Sequence, residues 1–210
     1  GERRLPPPFP APERTRARRQ APLARRQDLF DVTIACLARL GPRATTGREI
    51  CRQAGVSHGL LRHYFANPDN LLLETYQYVC ETFLARFQRE ISEAGDDAAA
   101  ALDRFFLATF SAEWTSSDIL GAWMAFWTLV RSNEDFAAVG EDYNRRLSAL
   151  VASAVARLDH RPGTPPPADS VAILLAVMDG LWLDFCLSPT RLTRDRAIAL
   201  CRTTLARLTT

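Results

Sequence analysis

The 210 residues have room for one compact domain, or for a small domain followed by a larger one. Hydrophobic residues make up 47% of the chain, charged residues make up 24% and the formal net charge is +2, which excludes a mainly disordered chain. No apolar run reaches the roughly 18 residues of a membrane span, and no hydrophobic signal segment follows the N-terminus. We therefore expect a cytoplasmic protein that does not contact a membrane.

Arginine and proline dominate the first part of the chain. Residues 1–26 carry eight arginines against Glu2 and Glu13, and six prolines lie between positions 6 and 22. Such a segment can neither bury a core nor hold a helix, so residues 1–22 are predicted to form a disordered basic arm. The arm would either add salt-sensitive attraction to phosphates or be a tail without a role in binding.

Structure is predicted to begin near Leu23. Apolar residues then follow helical spacing as far as Gly41-Pro42. These residues are Leu29, Phe30, Val32, Ile34, Leu37 and Leu40. They indicate a first helix that supports the segment after it.

Residues 45–65 are the most informative stretch, because they predict two short helices around a tight turn. Thr46 is a helix N-cap type, and Glu49 three positions later completes a capping box. Ile50 and Ala54 lie one helical turn apart and form a buried stripe. Gly55 then ends this helix in a left-handed conformation.

Ser57 caps the second short helix, whose inward residues are Leu61 and Phe65. The outward residues are small or carry hydrogen-bonding groups: His58, Gly59, Arg62 and His63. A major groove admits one α-helix whose N-terminal side chains reach base edges, and this pattern is typical of such a recognition helix. An ordinary helical hairpin with a polar face is the alternative.

The whole segment resembles one known signature. The matching residues are Thr45, Thr46, Ile50, Ala54-Gly55-Val56-Ser57, Gly59, Tyr64-Phe65 and Asp69-x-Leu71. Over residues 24–75 they resemble the N-terminal signature of the TetR family of transcriptional repressors. Residues 122–127 and 179–183 are similar to the BetI-like branch of that family. The resemblance implies a ligand-responsive repressor that binds a palindromic DNA operator as a homodimer and is released by a small molecule.

The resemblance also assigns contacts in the DNA-binding domain, which we place at residues 23–67. Thr46 matches a phosphate contact, His58 and Gly59 match base-edge contacts, and His63 and Tyr64 match backbone or groove-edge contacts. Arg62 stands where the family most often has Tyr, and an arginine there could bond a guanine bidentately. Pro68 and Leu60 replace a common Lys and Thr, so those two contacts are absent.

The rest of the chain is predicted to be helical too. After an Asn67 cap, a long helix starts at Pro68, and further helices follow at about 97–114, 117–132, 135–159, 167–187 and 193–208, with Thr193 as the cap of the last. Residues 161–167 form a loop. We therefore predict an all-α protein of about nine helices, with residues 68–210 as an effector-binding and dimerisation domain.

Four tryptophans are predicted to bind the effector: Trp114, Trp123, Trp127 and Trp182. They fall on helices around the interior of the second domain, and Trp123 shares a helix face with Trp127. Plain core packing is the alternative for each of them. The BetI-like branch includes choline-responsive repressors, so an aromatic cage for a quaternary ammonium ion is one form such a pocket could take.

The last two helices, 167–187 and 193–208, are apolar on more than one face and predict a dimer interface. Its predicted residues are Val171, Leu174, Leu175, Met178, Leu181, Ile198 and Cys201. Asp179 lies inside this apolar run and is expected to pair with an arginine across the subunit boundary or to lie exposed near the pocket.

Other functions have less support. The sequence contains no glycine-rich phosphate loop, no metal-ligand cluster and no Ser/His/Asp arrangement, so we predict no enzyme, catalytic residue, cofactor or metal. Cys51, His58 and His63 are too few for a zinc site. Five scattered cysteines favour reduced thiols in a cytoplasm. The remaining alternative is a helical DNA-binding or adaptor protein of the same fold without an effector.

Overall fold

The structure, a computed structural model, describes residues 22–210, so the arm predicted for residues 1–22 lies outside the described part except at Pro22. Within that range the chain forms nine α-helices and no strand, which confirms the predicted fold class. The helices are α1 Pro22–Ala44, α2 Gly47–Ala54, α3 His58–Tyr64, α4 Pro68–Glu93, α5 Ala98–Thr109, α6 Ser117–Val130, α7 Glu134–Val155, α8 Pro167–Leu187 and α9 Arg194–Thr209.

Helix α1 is broken at Gly41. Its φ of 73° and ψ of 174° are non-helical, and a side chain at that φ would strain the backbone. Pro42 follows and cannot donate the next backbone hydrogen bond. The break lies where the sequence predicted the end of the first helix, with one short helical turn after it.

Polar side chains cap the helices as the sequence predicted. Thr46, Ser57 and Thr193 each accept a hydrogen bond from the backbone N–H three residues later. The Asn67 side chain accepts from Asn70 N at 2.8 Å and opens α4. Each cap satisfies a donor that the helix itself leaves unpaired.

The described residues group by contact into two compact units. The first unit contains the described chain from residue 22 to Val79 together with Ser116–Val139, and the second contains Cys80–Thr115 and Gly140–Thr210. Helix α4 contributes residues to both units, and α6 belongs with the N-terminal helices. The division into a DNA-binding domain that ends at residue 67 and an effector-binding domain that starts at residue 68 remains a prediction.

In the first unit, α1 and α6 approach each other closely at one glycine. A Cβ atom placed on Gly121 would lie 2.6 Å from the Cα of Ala38 and 2.8 Å from its Cβ. Only a residue without a side chain fits at this crossing, because real Cβ atoms do not come so close to a neighbouring backbone.

In the second unit, arginines of α9 hold α5. Arg194 donates to the carbonyl oxygen of Phe110 at 2.8 Å, at the end of α5. Arg202 donates to both carboxylate oxygens of Asp103 at 2.5 and 3.0 Å. The α5–α9 contact is thus fixed at two points about two helical turns apart.

The native cysteines are reduced and poorly exposed. Cys36, Cys51, Cys80 and Cys201 are buried and Cys186 is half-buried. Loss of solvent raises the pKa of the Cys36 and Cys51 thiols, and it raises the pKa of Cys186 and Cys201 to about 12. These side chains therefore behave as small apolar groups.

Asp31 lies seven residues before Ala38 on α1, which places both on one helix face. Its Oδ1 atom is buried and has no hydrogen-bond partner among the described residues. Desolvation, with a smaller contribution from Asp28, raises the pKa of Asp31 to about 7. An ionised carboxylate is therefore disfavoured at this position.

We expect Asp31→Asn to stabilise the protein in a pH-dependent way. The parent protein should lose stability as pH rises from about 4, the unfolded pKa, through the folded pKa, since the unfolded chain ionises more readily. The variant should match the parent near pH 4 and exceed its free energy of unfolding by about 1–3 kcal/mol at pH 8, a range lowered for partial exposure. Denaturant titrations across pH measure this, and parallel profiles would contradict it.

Helix α8 is long and apolar over most of its length. Within the described range it is long and apolar enough, by length and composition alone, to cross a membrane, although no uninterrupted apolar run of that length was found. Aspartates interrupt the apolar sequence of α8, but they are too few to make the helix polar on average. Only 28% of its most apolar window is buried by the chain itself, and the remaining residues are half-buried or exposed.

Candidate functional site

Helix α3 presents the predicted outward residues to solvent. His58, Gly59, Arg62 and His63 are exposed, whereas Leu61 is buried. Tyr64 differs from the others: it is half-buried, packs against the core below, and places its ring edge against His63 with the ring centroids 5.1 Å apart. The first four residues thus share an open face, and Tyr64 borders it.

The helix preceding α3 differs from prediction at Glu49. The Thr46 hydroxyl accepts from Glu49 N at 3.3 Å, as expected of a cap. The Glu49 carboxylate does not return a bond to Thr46 and instead accepts from Arg52 at 2.6 and 2.9 Å and from Gln53 at 2.8 Å. These donors hold the pKa of Glu49 at about 2. The predicted capping box is therefore only half formed, because arginine at i+3 competes for the carboxylate.

The first residue of α2, Gly47, packs closely against the first residue of α4, Pro68. A Cβ on Gly47 would lie 2.8 Å from Cγ of Pro68 and 3.4 Å from a methyl group of Leu61. Pro68 thus has a structural contact at the position where the family resemblance expects a lysine. This contact sets the distance between the N-termini of α2 and α4.

Two exposed arginines beside Thr46 were missed by the sequence interpretation. Arg43 lies in the last turn of α1 and Arg48 in the first turn of α2, and neither forms an ion pair within the described chain. Their position around an open helix N-terminus is favourable for phosphate binding. The signal in the sequence was the pair of arginines on either side of the Thr45-Thr46 cap.

Arg26 holds α1, α3 and α4 together beneath the open face. Its guanidinium forms an ion pair with Glu74 and lies 5.3 Å from the ring centroid of Phe65 and 5.6 Å from that of Phe30. Phe65 is the residue that ends α3. Cation–π contacts of this kind hold α3 against α1 and α4. The sequence analysis had counted Arg26 only among the arginines of residues 1–26 and did not predict this structural role.

The proposed ligands of the alternative zinc site point to different environments. Cys51 is a buried member of the core formed by Leu29, Ile50, Leu61, Phe65 and their neighbours, whereas His58 and His63 are exposed on α3. A metal needs its ligands to converge on one point. This separation argues against the zinc interpretation.

Two of the predicted effector tryptophans lie in the first unit. Trp123 is buried and its ring centroid is 5.9 Å from that of Tyr76 and 6.4 Å from that of Trp127. Tyr76 stacks on Phe126 with a centroid distance of 4.6 Å. Trp127 is 43% exposed. The rings therefore pack on one another, and Trp127 is the member that solvent reaches.

The other two tryptophans lie in the second unit. Trp182 Nε1 donates to the carbonyl oxygen of Trp114 at 3.1 Å. Trp114 is almost fully buried and lies against Phe83, with ring centroids 3.7 Å apart. It lies in the turn between α5 and α6, not on a helix as predicted, because α5 ends at Thr109 and a new cap at Ser116 starts α6.

The predicted interface residues divide into two groups. Val171, Leu174, Met178, Ile198 and Cys201 are buried in the core of the chain itself, so they were wrongly assigned to the dimer surface. Leu175 and Leu181 are half-buried, and other α8 residues form the open face: Ala172, Ile173, Ala176, Asp179, Gly180 and Leu187. The helix was apolar all round, so composition could not tell its two faces apart.

Asp179 lies on this open face of α8. It has no ion-pair partner in the described range. Although the residue is exposed, the protein around its carboxyl group displaces enough water to raise the pKa of that group to about 6. The expected pairing with an arginine across a subunit boundary therefore remains a prediction.

Comparison with known protein families gives two matches along the chain. Residues 29–75 match the sequence model of bacterial regulatory proteins of the tetR family. Residues 98–210 match the model of the C-terminal part of BetI-type transcriptional repressors. The first match covers the open face on α3 and its supports, and the second covers α5 to α9.

Individual proteins agree with these matches. The chain is 29% identical over 164 residues to the HTH-type transcriptional regulator BetI of Paraburkholderia xenovorans strain LB400, covering 78% of this chain and 83% of that protein. A proposed transcriptional regulator from Pseudomonas aeruginosa PAO1 has a similar structure, with a TM-score of 0.80, 31% identity and coverage of 90% and 91%. SmeT, the repressor of the Stenotrophomonas maltophilia efflux pump SmeDEF, shares the fold, with a TM-score of 0.70, 20% identity and coverage of 88% and 90%.

Proposed function

The chain belongs to the TetR family of DNA-binding transcriptional regulators, with a C-terminal part of the BetI type, and from this membership we propose that it represses transcription by binding a palindromic operator as a homodimer. A small molecule then releases it. The open face of α3 is the observation that carries the proposal. Its working compartment would be the bacterial cytoplasm, where operator DNA is found.

The DNA contacts follow from the exposed groups around α3. His58, Arg62 and His63 carry hydrogen-bonding groups on one open face, and Gly59 allows close approach of the groove. Thr46 would bind a phosphate at the N-terminus of α2, supported by Arg43 and Arg48. Arg62 has no ion-pair partner in the described chain and is free to read a guanine.

We expect Arg62→Ala to reduce selectivity and Thr46→Ala to weaken binding evenly. Loss of a bidentate guanine contact removes about 1–3 kcal/mol of discrimination between operator and random duplex. Loss of a phosphate contact lowers both affinities by similar factors. Fluorescence anisotropy with an operator selected from random duplexes measures both, and Arg145→Ala, an exposed arginine of α7, is the control.

If the Arg62→Ala protein loses affinity equally for operator and random DNA, Arg62 is a phosphate contact and the base-reading assignment is wrong. Unchanged binding to both would remove Arg62 from the interface.

The homodimer would form through α8 and α9, the helices at 167–187 and 193–208 in the sequence prediction. Support comes from the open apolar face of α8, where Ala172, Ala176 and Gly180 recur every four residues. Small residues at this spacing let two helices pack closely. The DNA-binding domains of the two subunits, the headpieces, are then related by two-fold symmetry. They fit half-sites about one helical turn of DNA apart, or a multiple of it.

Effector control would act through α4, which contributes to both contact units. A ligand releases DNA only if it binds the DNA-incompetent state more tightly. The predicted effector residues are Trp123 and Trp127 in the first unit and Trp114 and Trp182 in the second, of which Trp127 is exposed and Trp114 lines a cavity. Coupling of about 1–3 kcal/mol would reduce operator affinity roughly 5- to 150-fold.

We expect an effector found by thermal shift among amines, betaines, lipids and antibiotics to change tryptophan fluorescence and release operator DNA at the same concentrations. Trp127→Ala should blunt both responses. If release persists unchanged in variants at all four tryptophans, the effector binds elsewhere. If no compound stabilises the protein, the alternative of a DNA-binding or adaptor protein without an effector gains support.

A further inference from the structure

A small cavity opens beside α4 in the second unit. It has a volume of about 350 Å³, which is at the small end for ligand pockets. Its polar and aromatic lining consists of Glu81, Thr82, Arg86, Arg89, Glu113 and Trp114. The first four of these come from successive turns of α4, and Glu113 and Trp114 come from the turn between α5 and α6.

Half of the charge in this lining is already neutralised within the protein. The Glu81 carboxylate accepts a hydrogen bond from Nη2 of Arg146 at 3.0 Å, and Arg86 forms an ion pair with Glu90 at 2.8 Å. Arg89 and Glu113 have no ion-pair partner within residues 22–210. The cavity therefore offers one uncommitted cation and one uncommitted anion.

Trp114 supplies the third uncommitted group. The residue is 1% exposed, and its indole Nε1 has no acceptor among the described residues, although a buried N–H group normally has one. No other aromatic residue lines this cavity. One ring cannot enclose a quaternary ammonium ion, for which an aromatic cage requires several ring faces.

We propose that this cavity binds a small zwitterion of the α-amino acid type. The carboxylate would bind the guanidinium of Arg89, and the primary ammonium would donate to the carboxylate of Glu113. A simple anion would leave Glu113 unpaired, and a simple cation would leave Arg89 unpaired. The inference rests on the proposed function only for the consequence of binding, namely DNA release, and not for binding itself.

The test is isothermal titration of the full-length protein with each common L-α-amino acid, with acetate and methylammonium as probes that carry only one of the two charges. We expect at least one amino acid to bind, and neither single-charge probe to compete at comparable concentration. Arg89→Gln and Glu113→Gln should each weaken binding about tenfold or more, since each removes a charge-assisted hydrogen bond. Arg89 is exposed and Glu113 is half-buried, and neither forms an ion pair within residues 22–210, so the fold should tolerate these changes.

Arg145→Gln and Glu141→Gln, exposed positions on α7 outside the cavity, are the matched controls and should leave the affinity unchanged. The proposal is overturned if no amino acid binds, if acetate or methylammonium binds as well, or if the Arg89 and Glu113 variants bind normally. Anisotropy with operator DNA separates the two ideas. If an amino acid binds without releasing DNA, the cavity assignment stands and effector control through this cavity is contradicted. If a compound releases DNA equally well from the Arg89 and Glu113 variants, effector control stands and the cavity is not its site.

Discussion

Replacing Gly121 with alanine should lower the free energy of unfolding by about 1–3 kcal/mol, even though alanine is the better helix former. The added methyl group would lie 2.6 Å from the Cα and 3.1 Å from the carbonyl oxygen of Ala38. Both are backbone atoms that cannot rotate away, so α1 and α6 must separate. Urea denaturation of the DNA-free protein measures the effect.

Gly59→Ala is the matched control within the same unit. A Cβ at Gly59 would have its nearest neighbour, Ser57 Oγ, at an ordinary 3.8 Å. Helix propensity should then dominate and raise stability by up to about 1 kcal/mol. The close crossing of α1 and α6 is contradicted if both substitutions stabilise the protein equally.

Gly180→Arg is expected to produce monomers and to weaken operator binding roughly 100- to 10,000-fold, because the second headpiece no longer binds as part of the same molecule. Nothing lies within 4 Å of a Cβ at Gly180, so the fold of one chain can accept the new side chain. A second copy of the protein packed closely on α8 would leave no room for this side chain. Sedimentation velocity at micromolar concentration and anisotropy with operator DNA measure the two effects.

Ser153→Arg, on an exposed part of α7, controls for the added charge and should remain dimeric. A Gly180→Arg protein that stays dimeric would show that the subunits associate through another surface. A charge at Leu174 is not a useful alternative, since Leu174 is fully buried and its replacement would unfold the chain.

Local signals predicted the helices well because each depended on residues close together in sequence. Thr46, Ser57, Asn67 and Thr193 are caps whose hydrogen bonds reach only three residues along the chain. Gly55 ends α2 in the left-handed conformation, with φ of 65°, that its position predicted. The same locality made the outward face of α3 predictable.

Features that depend on distant residues were not predictable. The placement of α6 against α1 joins Gly121 to Ala38 across more than eighty positions, and no helical period encodes that pairing. The predicted bond from the Glu49 side chain back to Thr46 was wrong for a related reason. The capping-box pattern does not take account of competing donors, here Arg52 and Gln53. Trp114 left its predicted helix because α5 ends five residues before it.

The poor exposure of the native thiols makes site-specific labelling straightforward. The thiolate is the nucleophile that attacks thiol reagents, and the native thiols are buried or half-buried, with the pKa of Cys186 and Cys201 raised to about 12. A nitroxide applied to Ala66→Cys, an exposed position just beyond α3, would therefore attach there without removing any native cysteine. Pulsed electron paramagnetic resonance could then follow the spacing of the two headpieces directly, with and without DNA.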